Sequence, residues 1–211
     1  IIVYPEDGRL PVTQSGVITQ QSPPPSNPCN DGLAVIADRP SRISFGAISC
    51  DRPEDFGLAS RCLLFPQSTG PYVKANSYNN NVLIVVTGDH VVLNTELGND
   101  PRIVPLDNRP FLDKRTETWT GSSRGFWEGD TLVVETRHFN VRMASIFMRA
   151  AAYGSAGSMA LIEHFTRVGE HAMEYEFILD DPSTFTGQKR GIVHFSRLNA
   201  PIYEFACHEG N

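Results

Sequence analysis

The chain has 211 residues, of which 40% are hydrophobic and 20% are charged, a composition typical of a globular domain. Its formal net charge is −6 and it has no run of basic residues, which excludes nucleic acid as an expected partner. No apolar stretch approaches the roughly 20 residues that a membrane-spanning helix needs.

The first fifty residues predict a short strand and then a long polar excursion. Ile1-Ile2-Val3-Tyr4 is apolar and β-branched, and Pro5-Glu6-Asp7-Gly8 has the composition of a turn. A strand that starts at the first residue suggests a leader upstream that has been removed. Residues 13–32 are rich in Gln, Ser and Pro, so we expect a Pro-rich arm or insertion over about 13–50. Such an arm could embrace a second copy and form a homo-oligomer, whereas the simpler alternative is a loop held by Cys29.

Two segments predict short helices. Asp51 is a suitable N-cap, Pro53 suits the first turn, and Glu54 completes a capping box, so a helix should begin here and end before Pro66. Residues 142–152 place apolar side chains at helical spacing and predict a second helix.

Strands dominate the remainder, because turns rich in Gly, Asp and Pro separate apolar and β-branched segments. The predicted strands are 82–87, 90–94, 102–106, a hairpin over 123–139, 158–168, 171–179, 191–197 and 202–207. Hairpin after hairpin with few helices is typical of an all-β meander. We therefore predict one domain over 1–211, an antiparallel meander that closes into a calycin- or lipocalin-like barrel with one or two short helices.

The hairpin over 123–139 has a turn at Glu128-Gly129-Asp130 and a second strand near 131–138. Alternation places Leu132, Val134, Thr136 and His138 on one face of that strand, and Thr131, Val133, Glu135 and Arg137 on the other. Neither face is uniformly polar. This pattern indicates a covered sheet whose interior tolerates polar groups, and therefore a pocket.

The chain has four cysteines, and neither a Cys-x-x-Cys pair nor a histidine at zinc-ligand spacing accompanies them. An even number of cysteines in a β-rich chain favours disulfides and export. Three pairings are possible, and we favour Cys29–Cys50 and Cys62–Cys207. The alternative is four buried free thiols.

Histidines and carboxylates are the candidate catalytic groups. His164 shares a strand face with Ile162, so it can point inward, which would turn Glu163 away. With His138, Glu135 and His208, it could supply cofactor-free acid–base chemistry of the lyase, isomerase or hydratase type. The common nucleophile-elbow, P-loop, dinucleotide and zincin motifs are absent from the sequence, and we expect neither a cofactor nor a metal.

A second group consists of candidate ligand-binding residues. An inward Arg102 or Arg109 would bind a carboxylate or another oxyanion, although Arg109 could equally form a turn-fixing ion pair with Asp107. Trp127 beside its turn could stack on a sugar or an aromatic ligand. The candidate ligand-binding set also includes the amide of Asn80, the phenol of Tyr203 and the carboxylate of Glu204.

Several segments resemble those of an uncharacterised family of exported proteins from acidobacteria and some proteobacteria. They are Arg102-Ile103-Val104-Pro105-Leu106-Asp107-Asn108-Arg109-Pro110, Glu128-Gly129-Asp130-Thr131-Leu132-Val133-Val134-Glu135-Thr136 and Tyr203-Glu204-Phe205-Ala206-Cys207-His208-Glu209-Gly210-Asn211. The resemblance covers roughly residues 60–211 and the Asp7–Pro11 opening, and the insertion over 13–50 departs from it. It implies export and carries no activity with it.

Two functional hypotheses follow. The first is a periplasmic or secreted barrel that binds a small organic or glycan ligand and acts on it by acid–base chemistry. The second is a non-catalytic structural subunit of an extracellular or periplasmic assembly, in which donated strands complete neighbouring sheets.

Overall fold

The structure, a computed structural model, describes residues 2–9, 11–12, 14, 53, 61–63, 72–73, 80–98, 100–116, 118–140 and 157–206. Over these ranges the chain is all-β and antiparallel. Its strands are β1 (Ile2–Tyr4), β2 (Val82–Val86), β3 (His90–Thr95), β4 (Arg102–Pro105), β5 (Ser122–Glu128), β6 (Thr131–Arg137), β7 (Ala160–Arg167), β8 (Ala172–Asp180) and β9 (Lys189–Ser196).

A six-stranded sheet has the order β1-β9-β8-β7-β6-β5. Strands β5 to β9 form a meander, and β1 joins its far edge by pairing with β9. The β5–β6 hairpin turns at Gly129, whose positive φ of 58° is a conformation that favours glycine. The predicted hairpin at this point is confirmed, with Trp127 opposite Leu132 and Glu128 opposite Thr131.

A three-stranded sheet has the order β2-β3-β4. Its first hairpin turns at Gly88-Asp89 and is closed by the Thr87 N–H, which donates to the carbonyl of His90 at 2.8 Å. The register of this hairpin is continuous from Val82 opposite Thr95 to Val86 opposite Val91. The sequence prediction of this hairpin is also confirmed.

The apolar faces of the two sheets share one core. Alternate residues of β6, β7 and β8 meet the buried side chains of β3 and β4 there. The buried members of the core are Tyr72, Val73, Val91, Leu93, Val104, Leu132, Val134, Phe139, Met159, Leu161, Phe165, Tyr175, Phe177 and Leu179. Gly125 marks the closest approach, since a Cβ there would lie 2.7 Å from Val104 and 2.9 Å from Leu106. The small residue on β5 therefore lets β4 lie against it.

The strands of the core meander follow the sequence predictions, but one further prediction is not confirmed and another is wrong. The closed calycin-like barrel is not confirmed, because the described strands form two separate sheets. The predicted strand over 202–207 is wrong over its described part, since residues 201–206 have no regular structure. Both predicted helices fall largely outside the described residues. No helix in the described part of the chain is long and apolar enough to cross a membrane.

Candidate functional site

Glu163 and His164 are consecutive residues of β7 and point to opposite faces of the six-stranded sheet. Glu163 lies opposite Phe177 on the inner face and is fully buried, whereas His164 lies opposite Glu176 on the outer face and is half-buried. The sequence analysis allowed an inward His164 with Glu163 turned away, and the structure has the opposite orientation. Two polar groupings follow from the observed orientation, one between the sheets and one on the outer face.

The interior grouping is built on an ion pair between the two sheets. Arg102 of β4 places Nη1 2.6 Å from Oε2 of Glu163, and its Nη2 donates to Oε1 at 2.9 Å. The shorter contact is poorly aligned for a hydrogen bond, so Oε2 is held by charge. Burial by itself would lower the pKa of Arg102, but the adjacent Glu163 carboxylate outweighs it and raises that pKa. The pair is therefore a charged link across the core.

Hydroxyl groups complete this interior grouping. Tyr175 donates to Oε1 of Glu163 at 2.7 Å and accepts the Val73 N–H at 3.1 Å. Thr136 lies 3.5 Å from Nη1 of Arg102 and 2.8 Å from the Ser123 hydroxyl. Burial, and after it the Glu163 charge, raises the pKa of Tyr175 well above its usual range, so this phenol stays protonated as a donor.

A second buried basic side chain lies nearby on β9. Lys189 is 2% exposed and donates from Nζ to the hydroxyl of Tyr72. Its Nζ also lies 4.6 Å from the centre of the Tyr72 ring, which stacks on Phe177 at 4.0 Å. Burial raises the pKa of Tyr72. The interior therefore combines two basic side chains and two protonated tyrosines.

The space left beside this interior grouping is small. A cavity of about 20 Å³ adjoins Arg102 and Tyr72. That volume holds one water molecule and no organic ligand. Because the Arg102–Glu163 pair is enclosed between the sheets and the adjoining cavity has room only for water, its described contacts favour a structural role.

The outer face carries an open groove of about 240 Å³, here called the outer-face groove, formed by the end of β5 and by β6, β7 and β8. Its lining residues are Glu128, Thr131, His164, Thr166, Glu174 and Glu176. Strand pairing sets Glu128, Thr131, Thr166 and Glu174 in one row across the sheet, and His164 and Glu176 in the next. The side chains converge because residues opposite one another on neighbouring strands share a face.

Glu176 is the centre of the charged contacts in the outer-face groove. Arg190 donates from Nε to Oε1 of Glu176, and Nδ1 of His164 lies 3.3 Å from Oε2. The His164 contact is poorly aligned for a hydrogen bond. Along the other row, the hydroxyls of Thr131 and Thr166 are 2.8 Å apart.

Apart from Glu176, the carboxylates that line the outer-face groove are largely accessible to a ligand. Glu174 makes only a long contact, 3.9 Å from Oε2 to Nδ1 of His194, and its side chain is 41% exposed. Phe126 lies in the row that contains His164 and is 36% exposed. The groove therefore offers hydrogen-bond acceptors and hydroxyls, and Phe126 places an exposed aromatic ring on the same sheet face, outside the groove lining.

The predicted catalytic residues do not converge. His164 lies in the outer-face groove, but His138 ends β6 with its Nδ1 2.9 Å from the carbonyl oxygen of Leu112. Glu135 lies on the outer face near Arg137, with 3.9 Å between their charged atoms. His208 lies outside the described residues. The prediction that His138 joins His164 and Glu135 at one site is therefore not supported by the positions of the described residues.

The predicted ligand-binding residues are also dispersed. Arg102 does point inward, and its carboxylate partner is Glu163 of the same chain. Arg109 forms the alternative ion pair with Asp107, donating from Nε at 2.7 and 2.8 Å. The remaining members are exposed and lie apart from both polar groupings, at Asn80, Trp127, Tyr203 and Glu204.

Sequence reasoning missed Glu174, Glu176 and Lys189 as members of polar groupings. One signal was available for Glu163, since Leu161 and Phe165 flank it on the same strand face and are large and apolar. The signal was ambiguous because Ile162 on the opposite face is also apolar. Only the pairing with β8, which sets Glu163 beside Phe177, decides the face.

Cys62 is disulfide-bonded. Cys29, Cys50 and Cys207 lie outside the described residues, so the favoured pairing stays a prediction. Among the described residues, no group of three or more histidine, cysteine or acidic side chains is placed to hold a metal ion. Comparison with known proteins gives no match to a family model, a curated protein or a solved structure.

Proposed function

We propose that this chain binds a small polyhydroxylated ligand of the carbohydrate class in the outer-face groove. The observation that carries the proposal is the convergence of Glu174, Thr166 and His164 on one open sheet face that is large enough for a sugar ring. Sugar hydroxyls both donate and accept, and carboxylates with hydroxyls match both roles. Phe126, exposed on the same face, provides a surface for stacking.

The interior grouping has no room for such a ligand, which supports its placement in the outer-face groove. Its two charged groups already contact each other, and the adjoining cavity of about 20 Å³ has no room for a ring. The proposal therefore does not depend on a closed calycin-like barrel with an internal ligand.

Binding is tested by saturation-transfer NMR with a panel of mono- and oligosaccharides, followed by titration of any saccharide that responds. Glu174→Gln should weaken the affinity by about tenfold, because a hydrogen bond to a charged acceptor is replaced by a neutral one. Glu170→Gln is the matched control, because it removes the same charge from the exposed β7–β8 turn, where the Glu170 side chain is 81% exposed. If no saccharide responds, or if both variants lose affinity equally, the proposal fails.

A second proposal is acid–base catalysis on the bound ligand, favoured by the 3.3 Å approach of His164 to Glu176. His164 acts as the base or acid, and Glu176, fixed by Arg190, orients its imidazole. His164→Gln should abolish turnover and leave saccharide binding within a few fold. Turnover that survives this substitution would exclude the role.

We also propose that the chain is exported to the periplasm or beyond, with the pairs Cys29–Cys50 and Cys62–Cys207. The disulfide at Cys62 and the resemblance to exported proteins support this compartment. Peptide mapping without reduction tests both statements. A different pairing would overturn the second, and free thiols at all four positions would remove the support for both.

A further inference from the structure

We infer that two copies of this chain associate through the exposed edge of β2, in an antiparallel pair centred on Ile84. The inference is independent of the ligand proposed above. It begins from the five residues of β2, Val82-Leu83-Ile84-Val85-Val86, which are all apolar and of which three are exposed. In the described sheet β2 pairs only with β3, so its other side presents a strand edge.

Both outer strands of the six-stranded sheet are protected, whereas no described element borders the open edge of β2. β1 has three residues, and its register with β9 is irregular. The edge at β5 is bordered by residues 109–112, where Arg124 donates from Nε to the carbonyl of Arg109 at 2.6 Å and Ser122 accepts from the Leu112 N–H at 2.9 Å. β2 contains no charge, no proline and no bulge, which are the usual protections of an edge strand.

The hydrogen bonds of the β2–β3 hairpin fix which backbone groups face the open edge. The Thr87 N–H bonds to the carbonyl of His90, and the Glu96 N–H bonds to the carbonyl of Asn81 at 2.9 Å. In an antiparallel ladder such bonds involve alternate residues, so 81, 83, 85 and 87 bond to β3. The N–H and C=O groups of Val82, Ile84 and Val86 therefore point away from β3, toward the open edge.

A second copy can form hydrogen bonds with the outward backbone groups of this edge in one symmetric register. Ile84 pairs with Ile84 of the second copy, and Val82 pairs with Val86 of the second copy, so the outward backbone groups bond reciprocally. The same register sets Leu83 against Val85 of the second copy on the exposed face. Because the pattern is symmetric about Ile84, both copies use one identical surface, as a twofold dimer requires.

Charge permits this approach despite the net charge of −6 on each copy. The residues that flank β2, Asn80 and Asn81 before it and Thr87 and Gly88 after it, are uncharged, and this register sets one flank against the other. Leu83, Val85 and Ile103 are 47%, 42% and 58% exposed and form an apolar face that continues across the pair. The contact is small, so the dimer is a weak one.

Sedimentation velocity of the full chain from about 10 µM to about 1 mM tests the inference, because a small interface dissociates at the lower concentrations. We expect a reversible monomer–dimer equilibrium. Leu83→Lys with Val85→Lys should raise the dimer dissociation constant by at least about tenfold, since lysines then oppose each other twice. An equimolar mixture with the Leu83→Glu, Val85→Glu variant should restore association, because each lysine then meets a glutamate.

Ile103→Lys is the matched control, since this residue is exposed on the same face but lies two strands from the edge. It should leave the dissociation constant within about twofold, as expected of a surface residue away from the contact. Circular dichroism checks that each variant is folded. A monomer at every concentration would overturn the inference, as would a dimer that ignores the paired lysines or responds equally to Ile103→Lys.

Amide hydrogen exchange gives a second readout that needs no substitution. On raising the concentration, the amides of Val82, Ile84 and Val86 should become slower to exchange, while those of Leu83 and Val85, already bonded to β3, should change little. Equal behaviour of the two sets would contradict the register.

Discussion

Each face of the six-stranded sheet carries a glutamate that forms an ion pair with an arginine. The two pairs differ in burial, in the strand that supplies the arginine and in the groups around them. Glu163 is fully buried and meets Arg102 from the opposite sheet, with Tyr175 as a further donor. Glu176 lies on the outer face, where Arg190 comes from the neighbouring strand and is 50% exposed. One pair joins two sheets, whereas the other lies within a single sheet at the edge of a groove.

This difference shows why position decides what an ion pair does. In the interior, removing one partner leaves a charge without water to solvate it, so the intact pair constrains the fold. On the outer face the Arg190 side chain is 50% exposed and that of Glu176 is 16% exposed, so water screens the pair in part and it adds less stability than the interior pair. The predictions that follow challenge this contrast, from the largest expected effect on stability to the smallest.

Glu163→Gln should produce the largest loss. It leaves the Arg102 guanidinium buried without its carboxylate, and we expect the free energy of unfolding to fall by about 3–5 kcal/mol. Urea denaturation followed by circular dichroism measures the change. Replacing both partners, by Arg102→Met with Glu163→Leu, should cost less than the single substitution. A double variant that is less stable than Glu163→Gln would show that the charge of Arg102 is not the cause.

Tyr175→Phe should have the next largest effect. It removes a donor to Glu163 and the acceptor of the buried Val73 N–H, and we expect a loss of about 1–3 kcal/mol in the free energy of unfolding. Tyr203→Phe is the control, because Tyr203 is 75% exposed and its change should stay within about 0.5 kcal/mol. Equal losses in the two variants would mean that the buried Tyr175 hydroxyl contributes no more to stability than the exposed Tyr203 hydroxyl.

Alkaline pH should destabilise the protein through the same interior. The pKa values of Tyr72 and Tyr175 are raised by burial, so their stabilising contribution is complete below the ordinary tyrosine pKa of about 10. As the pH rises above that value, the unfolded chain loses these protons and the folded chain retains them, so stability falls. Absorbance titration should show that these two phenols ionise only as the protein unfolds. Their ionisation in a still-folded protein would contradict the prediction.

The outer pair should contribute much less than the interior pair. Arg190→Gln removes the partner of Glu176, and we expect the free energy of unfolding to fall by less than about 1 kcal/mol, and by less still in high salt. The same urea denaturation, repeated at two salt concentrations, measures it. A loss as large as that of Glu163→Gln would remove the distinction between the two faces.

The exposed Asp107–Arg109 pair should give the smallest effect. The Arg109 guanidinium lowers the pKa of Asp107 to about 2. Its stabilising contribution is therefore complete above about pH 4, near the ordinary aspartate pKa, and is lost as the pH falls through about 2. Asp107→Asn should lower the Tm slightly at pH 5, and the difference from the wild type should vanish near pH 2. A difference that persists there would assign the effect to something other than charge.

Local patterns predicted the hairpins because the signals lie within a few residues. Gly88-Asp89 and Gly129-Asp130 are turn sequences between apolar segments, and strands form on both sides of each. In β8, Tyr175 and Phe177 alternate with Glu174 and Glu176, and the two aromatic residues face the core. The strand predicted over 202–207 failed because an apolar, aromatic segment forms a strand only where a partner strand is present.

The candidate site was predicted poorly because it depends on residues far apart in the chain. Glu128, His164 and Glu174 converge only through the registers of β5 to β8. His138 and Arg109, although they look chemically suitable, are held by their own local contacts, the Leu112 carbonyl and Asp107.

The amino-acid sequence by itself determined the all-β class, the hairpins and the residues that can alternate across a sheet, because these depend on neighbours within a few positions. Only the tertiary structure decided that Glu163 points inward and His164 outward. A strand with apolar residues on both faces has two nearly equivalent orientations, and the packing of Arg102 from the second sheet against Glu163 selects one. The same packing closes the interior, whereas the groove on the outer face stays open to solvent.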